Sequence, residues 1–91
     1  MTRRRIVVTG LGVVAPNGVG VEAFWDALMA GRSGIRPIES FDASKHKSRI
    51  AGEVLDFDAE AHMSAKVAKR SARYARLAIA AGLEALEHSK I

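Results

Sequence analysis

The stretch RRRIVVTGLGVVAPNGVG, Arg3 to Gly20, decides how the rest of the chain is read. Ile6, Val7 and Val8 form an unbroken β-branched run closed by Thr9 and Gly10, and such a run suits a strand buried on both faces. An interior strand is expected there. Val13 and Val14 extend the strand pattern, while Gly10, Gly12, Gly18 and Gly20, with Pro16 among them, let the backbone bend or approach another segment closely. The reading is a glycine-kinked core strand that ends in a turn from Ala15 to Gly18.

Gly10, Gly12 and Ala15 also satisfy G-x-G-x-x-A directly after a strand, the pattern of a dinucleotide fingerprint. The context opposes that reading. A fingerprint opens a helix whose N-terminus holds the pyrophosphate, but Pro16, Asn17 and Gly18 break any such helix in its first turn. No strand ending in an acidic residue follows at the spacing that binds a ribose; Asp26 falls inside a helical pattern and Glu39 in a loop. Tight packing explains the glycines better.

With 91 residues, 48% hydrophobic and 26% charged, the chain is at most one small domain with barely enough apolar material for a core. It has no cysteine, which removes disulfides, thiolate metal sites and a cysteine nucleophile from these residues. A cytoplasmic location is the default expectation. Arg3 to Arg5 ahead of an apolar run mimic a signal peptide, yet Thr9, Gly10 and Gly12 dilute that run and Pro16 follows Ala15. No apolar run reaches the length that crosses a bilayer.

A helix is expected from about Val21 to Ala30, with Val21, Phe24 and Leu28 on one face, Trp25 and Met29 beside them, and Gly31 as a left-handed cap. Arg32 to Ser40 reads as an irregular connection tacked down by Ile35 and Ile38, with Phe41 as a further anchor. Ser48 to Val54 alternates as a half-exposed second strand, and Asp58 is a candidate N-cap for a short helical piece through His62. Ser64 caps the helical remainder. An apolar stripe runs through Ala68, Ala72, Ala75, Ile79, Leu83 and Leu86, and Lys66, Lys69, Arg70, Arg73 and Arg76 form a basic ridge opposite. Alternatively, Ser71 divides this into a short helix and a long one beginning near Ala72. LAIAAGLEAL is small or apolar almost all round, as in a helix packed on several sides. An N-terminal piece of a longer protein is therefore expected.

Taken together and in order, VVTGLGVVAPNG (Val7 to Gly18), Trp25 with Leu28 and GRSGI (Gly31 to Ile35), FDAS (Phe41 to Ser44), SRIAGEV (Ser48 to Val54) and DFD (Asp56 to Asp58) form a specific pattern. The chain resembles the N-terminal end of an elongating β-ketoacyl-[acyl carrier protein] synthase of the fatty acid or type II polyketide kind. The resemblance runs from Arg4 to near Ile91, essentially the whole chain, residues 1–91. It implies a thiolase fold, layered α/β/α/β/α with two related halves, of which this chain would give two strands and three to four helices. It implies an acyltransferase that performs a decarboxylative Claisen condensation. A cysteine carries the growing chain as a thioester, and two histidines assist decarboxylation of malonyl carrier protein and stabilise the oxyanion.

That machinery is not expected within these residues. His46, His62 and His88 match no catalytic motif and read as solvated surface residues, and their spacing fits no metal site. No catalytic, cofactor or metal residue is assigned, and no cofactor is expected. What the resemblance does carry over is a docking surface for the acidic acyl carrier protein and its phosphopantetheine-linked substrate, at Lys66, Lys69 and Arg70, with Lys47 as a weaker member. A homodimer or a ketosynthase heterodimer is expected for the full-length protein, with neither a nucleic acid nor a membrane as partner. Two departures stand out. Many members read Arg-Arg-Met-Asp where this chain has Lys69, Arg70, Ser71 and Ala72, so the acidic cap of the long helix is missing and Ser71 is the candidate cap one residue early. Lys90 stands where the family tends to close that helix with glycine.

Three function classes stay open. The first is a segment of a condensing acyltransferase. The second is a non-catalytic chain-length-factor-like subunit of the same fold. The third is a basic module for anionic surfaces, suggested by the net charge of +4 but unsupported by aromatics or a recognition motif.

Overall fold

The computed structural model describes residues 3–91. Its elements are short: β1 (Val14–Ala15), β2 (Gly18–Val19), α1 (Val21–Met29), β3 (Ile35–Pro37), β4 (Ile50–Gly52), a 3-10 turn (Ala59–Ala61), α2 (Ala65–Arg70) and α3 (Arg73–Ser89). They make two separate antiparallel two-stranded sheets and three α-helices, an α/β arrangement.

The core strand expected at Ile6 to Val8 carries no pairing, and these side chains are 91, 70 and 80% exposed. A strand needs partners for its backbone donors and acceptors, and no described strand pairs with this stretch. The kink that follows is as expected. Pro16 and Asn17 form a two-residue turn between β1 and β2, with Val14 opposite Val19 and Ala15 opposite Gly18. Among the described non-glycine residues only Lys90 has a positive φ, so this is not a primed turn; Pro16 suits the first central position of the ordinary kind.

Before the hairpin, the chain lies against α3. A Cβ at Gly12 would fall on the Ala81 carbonyl, and one at Gly10 on the Ala85 carbonyl, with the Ser89 nitrogen 2.8 Å away. Ala81, Ala85 and Ser89 recur every four residues, so they form one small-residue row that admits a bare backbone. The glycine pair is thus a packing device, and helix backbone occupies the space a pyrophosphate would need.

In α1 the Gly31 cap is present: Gly31 has φ 69° and its N–H donates to the Leu28 carbonyl at 3.1 Å, while Arg32 N–H donates to Ala27 at 2.9 Å. These two bonds define a Schellman ending. The buried face differs from expectation. Ala27 is buried and Val21 and Phe24 half-buried, whereas Trp25, Leu28 and Met29 remain exposed.

Arg32 to Ser40 is not irregular throughout. Ile35, Arg36 and Pro37 pair with Gly52, Ala51 and Ile50, and Ile38 N–H donates to the Arg49 carbonyl at 2.8 Å. Pro37 is tolerated because a two-stranded sheet has only edges. The second strand is real but shorter than Ser48 to Val54.

The helical remainder is divided at Ser71, as the alternative reading had it. Ser64 Oγ accepts from Val67 N–H at 3.2 Å and caps α2. Ser71, however, does not cap α3: its hydroxyl donates back to the Val67 carbonyl at 2.7 Å, and α3 begins after Ala72 with no side-chain cap. On α3 the expected apolar stripe is only partly covered. Leu83 and Leu86 are exposed, Ala75 and Ile79 half-buried, and the buried residue is Ala80.

Candidate functional site

The candidate site is built on α2 and its two ends. Asp58 Oδ1 accepts from Glu60 N–H at 3.1 Å and starts the 3-10 turn, against which α2 packs. Ala68 is buried, and at about 100° per residue Lys69, Lys66 and Arg70 fall within one arc of about 100° on the side away from it. All three are exposed. Lys47 is also exposed, but it belongs to the loop between β3 and β4, a different element.

The expected five-residue ridge does not continue. The Arg73 guanidinium donates to the Val54 carbonyl, and Arg76 Nε donates to the Ala68 carbonyl at 2.6 Å, half-buried. The break at Ser71 turns the first residues of α3 back toward α2. The break thus separates the free outward group of three from Arg73, exposed but bonded to a backbone carbonyl, and Arg76, half-buried against α2.

The histidines are exposed, yet each has a structural neighbour. The His62 ring stacks on Phe57 with centroids 5.3 Å apart, His46 meets Phe41 edge-on at 5.5 Å, and His88 Nδ1 accepts from Leu11 N–H at 3.1 Å. Among the described residues no group of three or more His, Cys, Asp or Glu is placed to hold a metal. Among them too, no helix is long and apolar enough to cross a membrane.

One residue that sequence reasoning passed over organises the hairpin. Glu84 Oε1 accepts from Val13 N–H and Oε2 from Val21 N–H, each at 2.9 Å. Val21 is the first residue of α1, whose cap position is Gly20 and carries no side chain, so Glu84 supplies a cap from another helix. Its signal was in plain view as the lone acidic residue inside LAIAAGLEAL.

A cleft of about 490 Å³ opens beside the hairpin turn, between Pro16, Asn17, Asp26, Arg32, Arg36 and Asp56. Its charges are mixed, two of each sign, and it shows no convergence of like groups on one point.

Comparison with known proteins bears on the family and the fold. The family "Beta-ketoacyl synthase, N-terminal domain" matches residues 3–91. A 3-oxoacyl-[acyl-carrier-protein] synthase 2 of Vibrio cholerae is 48% identical over 89 residues, covering 98% of this chain and 22% of that protein. The granaticin polyketide putative beta-ketoacyl synthase 1 of Streptomyces violaceoruber is 51% identical over 87 residues, 94% of this chain and 20% of that one. Among solved structures, the ishigamide ketosynthase/chain length factor superposes with a TM-score of 0.82 at 36% identity, over 99% of this chain and 22% of that one. The chain therefore spans about a fifth of the length of these relatives, and its unpaired N-terminal stretch and half-covered helices are parts of a thiolase-like layered α/β fold. The glycines that admit α3, the Pro16–Asn17 hairpin and the capped basic helix are all parts of a match that runs from residue 3 to residue 91, and on it the chain belongs to the β-ketoacyl synthase N-terminal domain family.

Proposed function

We propose that these residues are the N-terminal segment of a β-ketoacyl-[acyl carrier protein] synthase, and that α2 carries part of the surface on which the acyl carrier protein docks. The full enzyme joins an acyl thioester to malonyl carrier protein by decarboxylative Claisen condensation, in fatty acid or polyketide synthesis. The observation that carries the docking assignment is the outward trio Lys66, Lys69 and Arg70 on a helix whose neighbouring arginines, Arg73 and Arg76, are committed to backbone carbonyls. An unscreened group of like charges is relieved by an acidic partner, and such rim charges set association rate and orientation more than affinity. Lys47, exposed on the β3–β4 loop, is the weaker member of this surface. The enzyme works as a homodimer or as one half of a ketosynthase heterodimer.

A second reading has its own support. The tetracenomycin polyketide synthase ketoacyl synthase beta subunit of Streptomyces glaucescens is 47% identical over 81 residues, and the matched solved structure includes a chain length factor. In that reading the same segment serves a non-catalytic partner subunit. In both readings the described segment contributes shape and docking charge, and the 91 residues, which contain no cysteine, perform no condensation alone.

The test is charge reversal. With Lys66→Glu and Lys69→Glu in the synthase that carries this segment, turnover with carrier-protein substrates falls about tenfold or more, chiefly through KM, and becomes less sensitive to salt. Turnover of a small thioester substrate stays the same, and the 91-residue chain assayed alongside gives no product. Equal effects on both substrates, or none on either, refute the docking assignment; product from the short chain refutes the other claim.

A further inference from the structure

A helix of six residues does not hold its own direction. Isolated helices shorter than about 12–15 residues are marginal in water, and α2 buries only one side chain, Ala68. Its orientation must come from what grips its ends. Ser64 grips the first turn. At the other end, Ser71 Oγ donates to the Val67 carbonyl at 2.7 Å, and Arg76 Nε reaches back eight positions to donate to the Ala68 carbonyl at 2.6 Å. Arg76 sits in the first turn of α3, on the far side of the break, and Arg73 beside it anchors that turn to the Val54 carbonyl.

We infer that Arg76 is a positioning residue for the docking helix, fixing the angle of α2 to α3 and with it where Lys66, Lys69 and Arg70 project. The inference rests on the docking reading above. The guanidinium does two things at this place: it satisfies a carbonyl near the α2 C-terminus, where helical partners run out, and it puts positive charge at the negative end of the helix dipole. Its half-buried stem and inward bond leave it unsuited to meet a partner directly. Lysine here keeps the charge and N–H donors without the planar fork, and methionine keeps only the stem.

The two roles, strut and contact, separate in a salt series. In the synthase that carries this segment, Arg76→Met raises KM for the acylated carrier protein about tenfold, the ratio expected for losing one charge-assisted hydrogen bond. The salt dependence of that KM keeps its wild-type slope, because the three outward charges remain. Both kcat and KM for a small thioester stay within about twofold, and Arg76→Lys recovers most of the loss. Lys66→Glu, measured in parallel, flattens the salt slope. An unchanged carrier KM in Arg76→Met overturns the inference. So does a flattened slope, which makes Arg76 a direct contact, or a parallel loss with the small thioester, which makes it merely structural. If Lys66→Glu leaves carrier KM and slope unaltered, the docking reading itself has failed, and this inference falls with it.

Discussion

Glu84 shows how much one side chain holds in place. Its two carboxylate oxygens take the amides of Val13 and Val21, so one residue of α3 secures both the hairpin entry and the start of α1. Replacing it strands two donors at once, and removing one partner of a charged hydrogen bond in a half-buried place costs about 2 kcal/mol. Glu84→Ala is therefore expected to speed hydrogen exchange at Val13 and Val21 together. The Gly20 amide, bonded to the Val13 carbonyl at 2.8 Å, should respond less. Glu84→Gln, with one acceptor oxygen left, should protect only one of the two amides. Lys90 is the complementary case. It ends α3 in the left-handed region, at φ 58° and ψ 28°, where a side chain is disfavoured. Lys90→Gly is expected to stabilise the helix end by about 1 kcal/mol, seen as slower amide exchange over the last turn of α3. No change there would mean that the Lys90 side chain offsets its own backbone strain.

At the scale of elements, a carboxylate just after β4 holds the start of the β3–β4 loop. Glu53 accepts from the Ser40 hydroxyl, from Glu39 N–H at 2.8 Å and from Ser40 N–H at 3.2 Å. The Ser40 hydroxyl first, the Glu39 amide next, and more weakly the Ser40 amide and the Arg36 charge hold its carboxyl below the ordinary carboxylate range. A carboxylate depressed in the folded state stabilises fully above its unfolded pKa and loses that contribution as pH falls through the folded value. The amide shifts of Glu39 and Ser40 should accordingly titrate with a midpoint below that of an unperturbed glutamate, and Glu53→Gln should abolish the titration. A midpoint at or above that value would show that the bonds do not favour the charged form. Helices were the legible part of this chain because their signals are local: Gly31 stops α1, Ser64 starts α2, and Ser71 breaks the remainder. Strands were less legible because pairing is decided elsewhere. Ile35 to Pro37 became a strand only because Ile50 to Gly52 lay opposite, and Ile6 to Val8, the stronger strand signal, found no partner. The basic trio was readable from spacing, but the bonding of Arg73 and Arg76 to backbone carbonyls was not. It depends on the angle at Ser71, which no periodicity encodes.

Across the whole molecule, the arrangement is more open than a chain of this length would be on its own. The accessible surface is 7510 Å², against about 5,200 Å² for a compact protein of 9.8 kDa. The radius of gyration is 16.5 Å, against about 12 Å for a compact domain of 91 residues. The buried apolar residues are Ala27, Ala43, Ala68 and Ala80, and no large side chain among the described residues is fully buried. Four alanines bury too little surface to offset the ordering entropy of the chain. Meanwhile Ile6, Val7, Val8, Leu83 and Leu86 present apolar surface to solvent, which in the synthase proposed above the other layers would cover. The isolated 91-residue chain is therefore expected to show helical far-ultraviolet dichroism without fixed near-ultraviolet signal, to bind a hydrophobic dye, and to unfold in urea over a broad range or to self-associate. Joined to the remainder of the synthase, the same residues should unfold with the rest in one transition or a few. A sharp, probe-independent urea transition from a well-dispersed monomer of the short chain would overturn this, because it would require a core that four buried alanines do not provide.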